Sequence, residues 1–420
     1  MRVMKWSMIA LAVSASTSQF AMASSQEESK GFFEDQSLNV LTRMLYMNRD
    51  FKNNSSASQS YREETGLAVR ATYESGFTQG TVGFGVDALV NSMVKLDSGR
   101  GRTGNGMFGN DSEGRPEDTQ SIGGGAVKFR LSDTVLKYGS QYVASPVLAT
   151  EDSRLLPEVA TGTMITSKEI EGLELSAGRF TAISGQNHMG HDSINGTGLK
   201  SADIAGATYQ FTENFVAGVA ASDVEDHYKK KYINLNYTLP INEDQSLNFD
   251  FNGYDSKDQG QKLSGDVDNR IWSLAAAYSI GAHKFTLAHQ RSTGDTGYVY
   301  GADGNGTIFL ANSVQYSDFN GADERSWQAR YDLNMKTYGV PGLSFMTRYI
   351  TGDNIETGGE EGKEHEWDFE TKYVMQSGPA KDLSFRLRSA FYRTNSSYNA
   401  INGNDNNDFR IIVEYPLSIL

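Results

Sequence analysis

Arg386 and Arg388 stand two positions apart in one alternating segment. Arg43, Arg49, Arg62, Arg70, Lys128, Arg130, Lys372 and Arg410 occupy the same kind of polar position in others. Guanidinium and ammonium groups bind carboxylates and phosphates, so a row of them makes a path for small anions. Residues two apart on a strand lie roughly 6 to 7 Å from each other, close enough for a carboxylate to pass between them. Water at physiological salt screens a fixed charge beyond about 8 to 10 Å, so a series of cations guides an anion where a single one fails. The competing reading pairs these cations with Glu64, Glu74, Glu366, Glu370 or Glu414 in a water-filled lumen.

Other chemistries fail on spacing. Gly99-Arg100-Gly101-Arg102-Thr103-Gly104 fits GxGxxG, but it lies in a polar loop with no helix after it. His188 and His191 lack a helix and a third ligand, and the acidic run Asn402 to Asp408 lacks EF-hand spacing. His227, His283 and His289 are remote from any Ser and Asp constellation, which leaves a barrel hydrolase as the alternative of another class. A third reading is a non-selective, structural or adhesin-like barrel. With no cysteine there is no thiolate site, and a net charge of −14 argues against nucleic acid as a partner. Neither cofactor nor metal is expected.

The elements that position the cations are strands. Leu383, Phe385, Leu387 and Phe391 alternate with Ser384, Arg386 and Arg388, and Phe409, Ile411, Val413 and Tyr415 alternate with Asp408, Arg410 and Glu414. Segments around Leu67 to Tyr73, Val127 to Leu131, Trp327 to Leu333 and Trp367 to Tyr373 repeat the pattern. Each covers about 8 to 12 residues, enough for a tilted strand to cross a bilayer. Tyr46, Tyr73, Trp272, Tyr278, Trp327, Tyr331, Tyr349, Trp367, Tyr373, Tyr392 and Tyr415 fall near segment ends and suit two interfacial aromatic girdles. Short turns such as Gly76 to Gln79, Ser132-Asp133 and Gly281-Ala282 alternate with long polar loops such as Gly99 to Ser121 and Thr351 to Glu364. The expected fold is all-β, a transmembrane antiparallel β-barrel of about 18 strands.

Arg2 and Lys5, an apolar stretch Met8 to Ala15, and Ala21-Met22-Ala23 read as a signal peptide over residues 1–23, leaving 24–420 as one outer-membrane barrel domain. Backbone pairing between strands makes a mean hydropathy of −0.48 compatible with a bilayer. Turning the Leu383 to Tyr392 strand over would place Arg386 and Arg388 in lipid at roughly 2–4 kcal/mol each, so the arginines face the lumen. A closed barrel pairs its last strand with its first, which joins the chain-end cations into one wall.

Several blocks carry a family resemblance: "ESGFTQGTVGFGVDA" from Glu74, "SRLLPEVATG" from Ser153, "FLANSVQYSDFNG" from Phe309, "QSGPAKDLSFR" from Gln376 and "YPLSIL" from Tyr415. From about Lys30 to the last residue the chain resembles the OprD family of substrate-specific outer-membrane porins. The resemblance implies a pore narrowed by inward-folded loops and lined by a basic ladder, with Arg43, Arg49, Lys372, Arg386, Arg388 and Arg410 at matching positions. It implies a constriction loop over Tyr142 to Glu171 containing Arg154. It also implies a second pore loop in which Ser313, Tyr316 and Asp318 form an electronegative side. The stretch Gln186 to Leu199 and the loop Gly352 to Glu364 resemble the branch that carries cyclic or aromatic carboxylates more than the basic-amino-acid branch. The expectation is passive uptake: a solute meets Arg386, Arg388 and Arg410, passes the N-terminal arginines, and reaches a constriction at Arg154 and Asp318. Expected partners are small carboxylates, outer-membrane lipid and lipopolysaccharide, with the chain a monomer or weak trimer.

Overall fold

The computed structural model describes residues 26–52, 59–190, 198–304, 306–402 and 405–420. The signal-peptide expectation and His191 lie outside the described residues. Eighteen antiparallel strands form one closed sheet. In chain order they are β1 (Ser37–Lys52), β2 (Tyr61–Glu74), β3 (Val82–Asp97), β4 (Thr119–Leu131), β5 (Thr134–Gln141), β6 (Val159–Ile170), β7 (Leu173–Ser184), β8 (Ala202–Thr212) and β9 (Phe215–Val224). They continue as β10 (Tyr228–Asn242), β11 (Gln245–Asp258), β12 (Asp268–Ile280), β13 (His283–Thr293), β14 (Arg325–Asn334), β15 (Leu343–Ile355), β16 (Gly362–Val374), β17 (Ser384–Thr394) and β18 (Asp405–Ser418). The ring closes where β1 pairs with β18, from Asn39 opposite Ser418 to Lys52 opposite Asp405. Closure leaves no strand edge unpaired, which is what a bilayer demands of a sheet.

Side chains alternate as the pattern requires. On β17, Phe385, Leu387 and Phe391 are exposed on the outer face, while Ser384 and Ala390 are buried towards the lumen. Tyr392 shares their parity and is 1% exposed, so it belongs to the lumen and not to the aromatic girdle expected of it. Its ring packs on Tyr316 at 4.8 Å between centroids. Trp327, Tyr349, Trp367 and Phe369 do lie on the outer face. The turns at 132–133, 171–172, 213–214, 243–244 and 281–282 are short and gather at one end, the periplasmic one by the usual asymmetry. At the other end, 98–118, 142–158 and 294–324 are long. The loop expected over Thr351 to Glu364 is much shorter, because β15 runs on to Ile355 and β16 resumes at Gly362 across a register shift.

The long loops fold into the barrel and supply its core. Leu155 and Leu156 of the loop 142–158 pack with Met107 and Phe108 of the loop 98–118 against Leu45, Met47, Ala68 and Met93 on the wall. Gly66 on β2 makes this possible: a Cβ there would stand 2.3 Å from Leu155 Cδ1. The constriction loop is therefore shorter than the expected Tyr142 to Glu171, since Val159 onward is strand. Loop backbone inside a barrel has to find partners. For the loop 294–324 they are lumen amides: Gln290 Nε2 donates to the carbonyls of Asp318 (2.8 Å) and Phe319 (2.7 Å), and Gln328 Nε2 donates to that of Ala311 (2.8 Å).

Candidate functional site

Strand register brings the chain-end cations onto one wall. Arg43 stands opposite Glu414 and Arg49 opposite Asp408 across the closing seam. Arg410 stands opposite Arg388, and Arg386 opposite Lys372. Arg70 projects from β2 beside them and meets Arg43 at Asp152 of the constriction loop. That loop adds Arg154, whose Nε donates to the Asn105 carbonyl at 2.7 Å and whose Nη1 donates to Ser153 Oγ at 2.8 Å. Burial, then the charges of Arg410 and Arg49, push Arg154 down from the ordinary arginine value to about 9. A guanidinium in that state remains protonated at neutral pH.

Compensation along the wall is uneven. Asp408 holds Arg49 at 2.8 Å and Arg410 at 2.7 Å; Glu414 and Asp152 hold Arg43, each at 2.8 Å. Towards the periplasmic end it thins. Arg386 and Arg388 share Glu370 at 3.7 and 3.3 Å, and neither Nε, although buried, has a hydrogen-bond partner among the described residues. No described carboxylate lies within ion-pair distance of Lys372 or Arg154. β17 leaves the periplasmic turn 375–383 at Ser384, so Arg386 and Lys372 sit in the inner half of the barrel. An incoming solute meets the constriction before it meets them, the reverse of the order expected from sequence.

Two expected pathway residues are placed differently from the rest. Arg130 is 2% exposed, its Nε donates to Gln26 Oε1 at 2.8 Å, and its guanidinium lies 4.3 Å from the Phe77 ring centroid. These contacts belong to the N-terminal segment and a periplasmic turn, so strand parity alone misplaces it. Arg62 stands at the outer end of β2, donates to the Gly104 carbonyl at 2.9 Å, and lies over Phe51 at 5.2 Å.

The loop 294–324 supplies the other side. Asp318 accepts from the hydroxyls of Tyr300 and Ser313, and Arg49 lies 5.0 Å from the Tyr316 ring centroid. The segment is pinned by β16, where Glu366 accepts from the backbone N–H groups of Tyr316 (2.9 Å) and Ser317 (2.8 Å). Glu151 of the constriction loop accepts from Thr307 Oγ1 at 2.9 Å and places a second carboxylate near Asp318. The constriction thus has a cationic side at Arg154, Arg49 and Arg410 and an anionic edge at Asp318 and Glu151. Sequence reasoning missed Glu151, Asp152 and Tyr300. Glu151 and Asp152 fall inside the stretch Tyr142 to Glu171 read as the constriction loop, just before the block that starts at Ser153, and Tyr300 lies outside every block quoted for the resemblance.

Burial pushes the Asp318 carboxyl above the ordinary carboxylate value, against the hydrogen bonds from Ser313 and Tyr300. On acidification Asp318 therefore takes a proton before an exposed carboxylate does, and the anionic edge weakens while the arginines keep their charge. Reversal potentials across a KCl gradient are expected to move towards anion preference as the pH falls, starting at a higher pH than an exposed carboxylate would require. Asp318→Asn should remove that part of the response. An identical pH dependence in the variant would assign the titration to another group.

A closed strand-only wall with an apolar belt outside and a charged, loop-narrowed lumen defines an outer-membrane porin. The family model described as outer membrane porin, OprD family, matches residues 30–419. The chain belongs to the OprD family. It is 49% identical to Porin D of Pseudomonas aeruginosa over 100% of both chains. The crystal structure of OprD from the same organism superposes with a TM-score of 0.80 at 46% identity, covering 95% of this chain and 99% of that one. The structure of Pseudomonas aeruginosa OpdK with vanillate gives 0.83 at 34% identity, covering 92% and 100%. These likenesses place the barrel in the bacterial outer membrane, as expected.

Proposed function

We propose that this porin admits small carboxylate-bearing solutes by passive diffusion along the arginine wall. The observation that carries the reading is the wall's uneven compensation. Arg386 and Arg388 present buried guanidinium nitrogens without hydrogen-bond partners, and Lys372 lies beside them with no carboxylate in reach. The two side chains remain 23% and 20% exposed and share one carboxylate, so a passing carboxylate can accept hydrogen bonds there that Glu370 does not take up. Aromatic or cyclic acids are the preferred class on the length of the loops; the vanillate in the OpdK structure is an aromatic carboxylate held by a relative.

The anionic edge at Asp318 and Glu151 favours a second reading, in which the solute also carries a positive group, as a basic amino acid does. Uptake into liposomes separates the two. A panel of benzoate-like acids, basic amino acids and neutral sugars is expected to show the carboxylates entering faster than sugars of similar size. If basic amino acids outrun benzoate, the zwitterion reading holds. If neutral sugars match both, the selective pore is refuted. Lipid and lipopolysaccharide are the expected surroundings of the outer apolar belt, with the barrel acting as a monomer or in a weak trimer.

A further inference from the structure

One carboxylate of the protein already sits where a substrate carboxylate would bind. Asp152 Oδ1 accepts from Arg43 Nη1 and from Arg70 Nη1, each at 2.8 Å, and Oδ2 accepts from Arg70 Nη2 at 3.0 Å. This is the two-pronged geometry a guanidinium offers any carboxylate. Although burial opposes it, the charges of Arg43 and Arg70 hold the Asp152 carboxyl below the ordinary value, so it is ionised.

The loop does not depend on this contact for its position. Leu155 and Leu156 are 0% and 1% exposed in the apolar cluster beneath it. On the other side Glu151 is held by Thr307, and its backbone N–H donates to Glu158 at 2.9 Å. Meanwhile the clamp stays open to pore water, with side chains 16% exposed at Asp152, 12% at Arg43 and 10% at Arg70.

We propose that Asp152 is a resident carboxylate that permeating carboxylates displace from the Arg43–Arg70 clamp, so that it sets how tightly and how selectively the pore holds them. The inference rests on the carboxylate pathway proposed above. Its physical basis is exchange: stripping a buried guanidinium of its partner is far more costly than swapping one carboxylate for another. Glu414 remains on Arg43 Nε at 2.8 Å throughout and keeps that side chain in place. A neutral solute has nothing to exchange and gains nothing at the clamp. Asp152 also shortens the stay of an acid that does bind, because it competes from a tethered, high effective concentration.

The test is single-channel recording with benzoate on the purified porin, beside glucose uptake into liposomes. Asp152→Asn is expected to lengthen benzoate blockades by about tenfold, the equivalent of about 1.4 kcal/mol, and to leave glucose entry within about twofold. Glu414→Gln takes the same charge from Arg43 without touching the loop, and is expected to lengthen blockades by less than about threefold. Equal lengthening in both variants would reduce the effect to net charge and overturn the proposal. So would an unchanged blockade in Asp152→Asn, or glucose entry rising in step with benzoate, which would mean that the loop had moved. If benzoate blocks the wild type and only Asp152→Asn leaves the blockade untouched, the pathway stands and the resident carboxylate falls. If benzoate blocks neither the wild type nor any variant, both fall.

Discussion

Replacing Arg386 and Arg388 together by Ala is expected to slow benzoate blockade of the single channel by roughly ten- to a hundredfold at low salt, within the range that electrostatic steering spans. Both side chains project into the lumen from one strand, and between them they share only Glu370. Removing them leaves Glu370 balanced only by Lys372 on the neighbouring stretch of wall, so the inner wall loses its excess of positive charge and with it the pull on an acid. The difference between wild type and variant should shrink as the screening length falls from about 10 Å at 0.1 M salt to about 3 Å at 1 M. The outward residues Phe385, Leu387 and Phe391 are untouched, so the barrel should insert as before. A blockade rate equal to wild type at low salt would remove β17 from the pathway.

The second large effect concerns stability. Asp408 is wholly buried, with 0% side-chain exposure, and accepts from Arg49 Nε at 2.8 Å, Arg410 Nε at 2.7 Å and Gln315 Nε2 at 2.9 Å. Asp408→Ala takes the shared partner from the buried Arg410, 6% exposed, and from the less buried Arg49, 16% exposed, and removing one partner from a buried ion pair costs about 3–5 kcal/mol. It also loosens the loop 294–324, because Gln315 is tied to the wall through Asp408 and through Arg410, whose Nη2 donates to its carbonyl at 3.0 Å. Chemical unfolding in detergent micelles should show the midpoint fall, and single-channel current should become noisier. Asp408→Asn keeps an acceptor and should lose less. A variant Asp408→Ala within about 1 kcal/mol of wild type would mean that pore water solvates Arg410 as well as Arg49, contrary to the burial of Arg410.

What the sequence made legible follows the period-2 rule. The segment Leu383 to Tyr392 anticipates β17, and Trp327 to Leu333 lies within β14, because one face meets lipid and the other water. The same rule put Arg386, Arg388, Arg410, Arg43 and Arg49 on one lumen wall. It also decides against Tyr392 in the girdle, since Tyr392 shares the parity of Arg386 and Arg388. Gly352 and Asn354 made β15 look finished too early; Asn354 has a φ of 62°, and the ladder shifts register there without ending. Loop contacts carry no period. Asp152 reaches Arg70 across 82 residues of sequence and Arg43 across 109, and nothing local distinguishes it from a solvated loop aspartate. Arg130 shows the opposite failure: its parity is right, but the N-terminal Gln26, which also donates to the carbonyls of Thr78 and Gly80, occupies its guanidinium.

The seam between β1 and β18 has a consequence for biogenesis. Arg43 and Arg49 belong to the first strand made, and Arg410, Asp408 and Glu414 to the last, so the pairs Arg43–Glu414 and Arg49–Asp408 exist only across that seam. Until the ends of the chain meet, Arg49 in one half and Glu414 in the other lack the partners they have in the closed ring, charge that lipid rejects, and the basic wall is incomplete. Sealing the ring and creating its selectivity are therefore one event. A chain stalled short of closure would be a poor membrane protein before it could become a leaky channel.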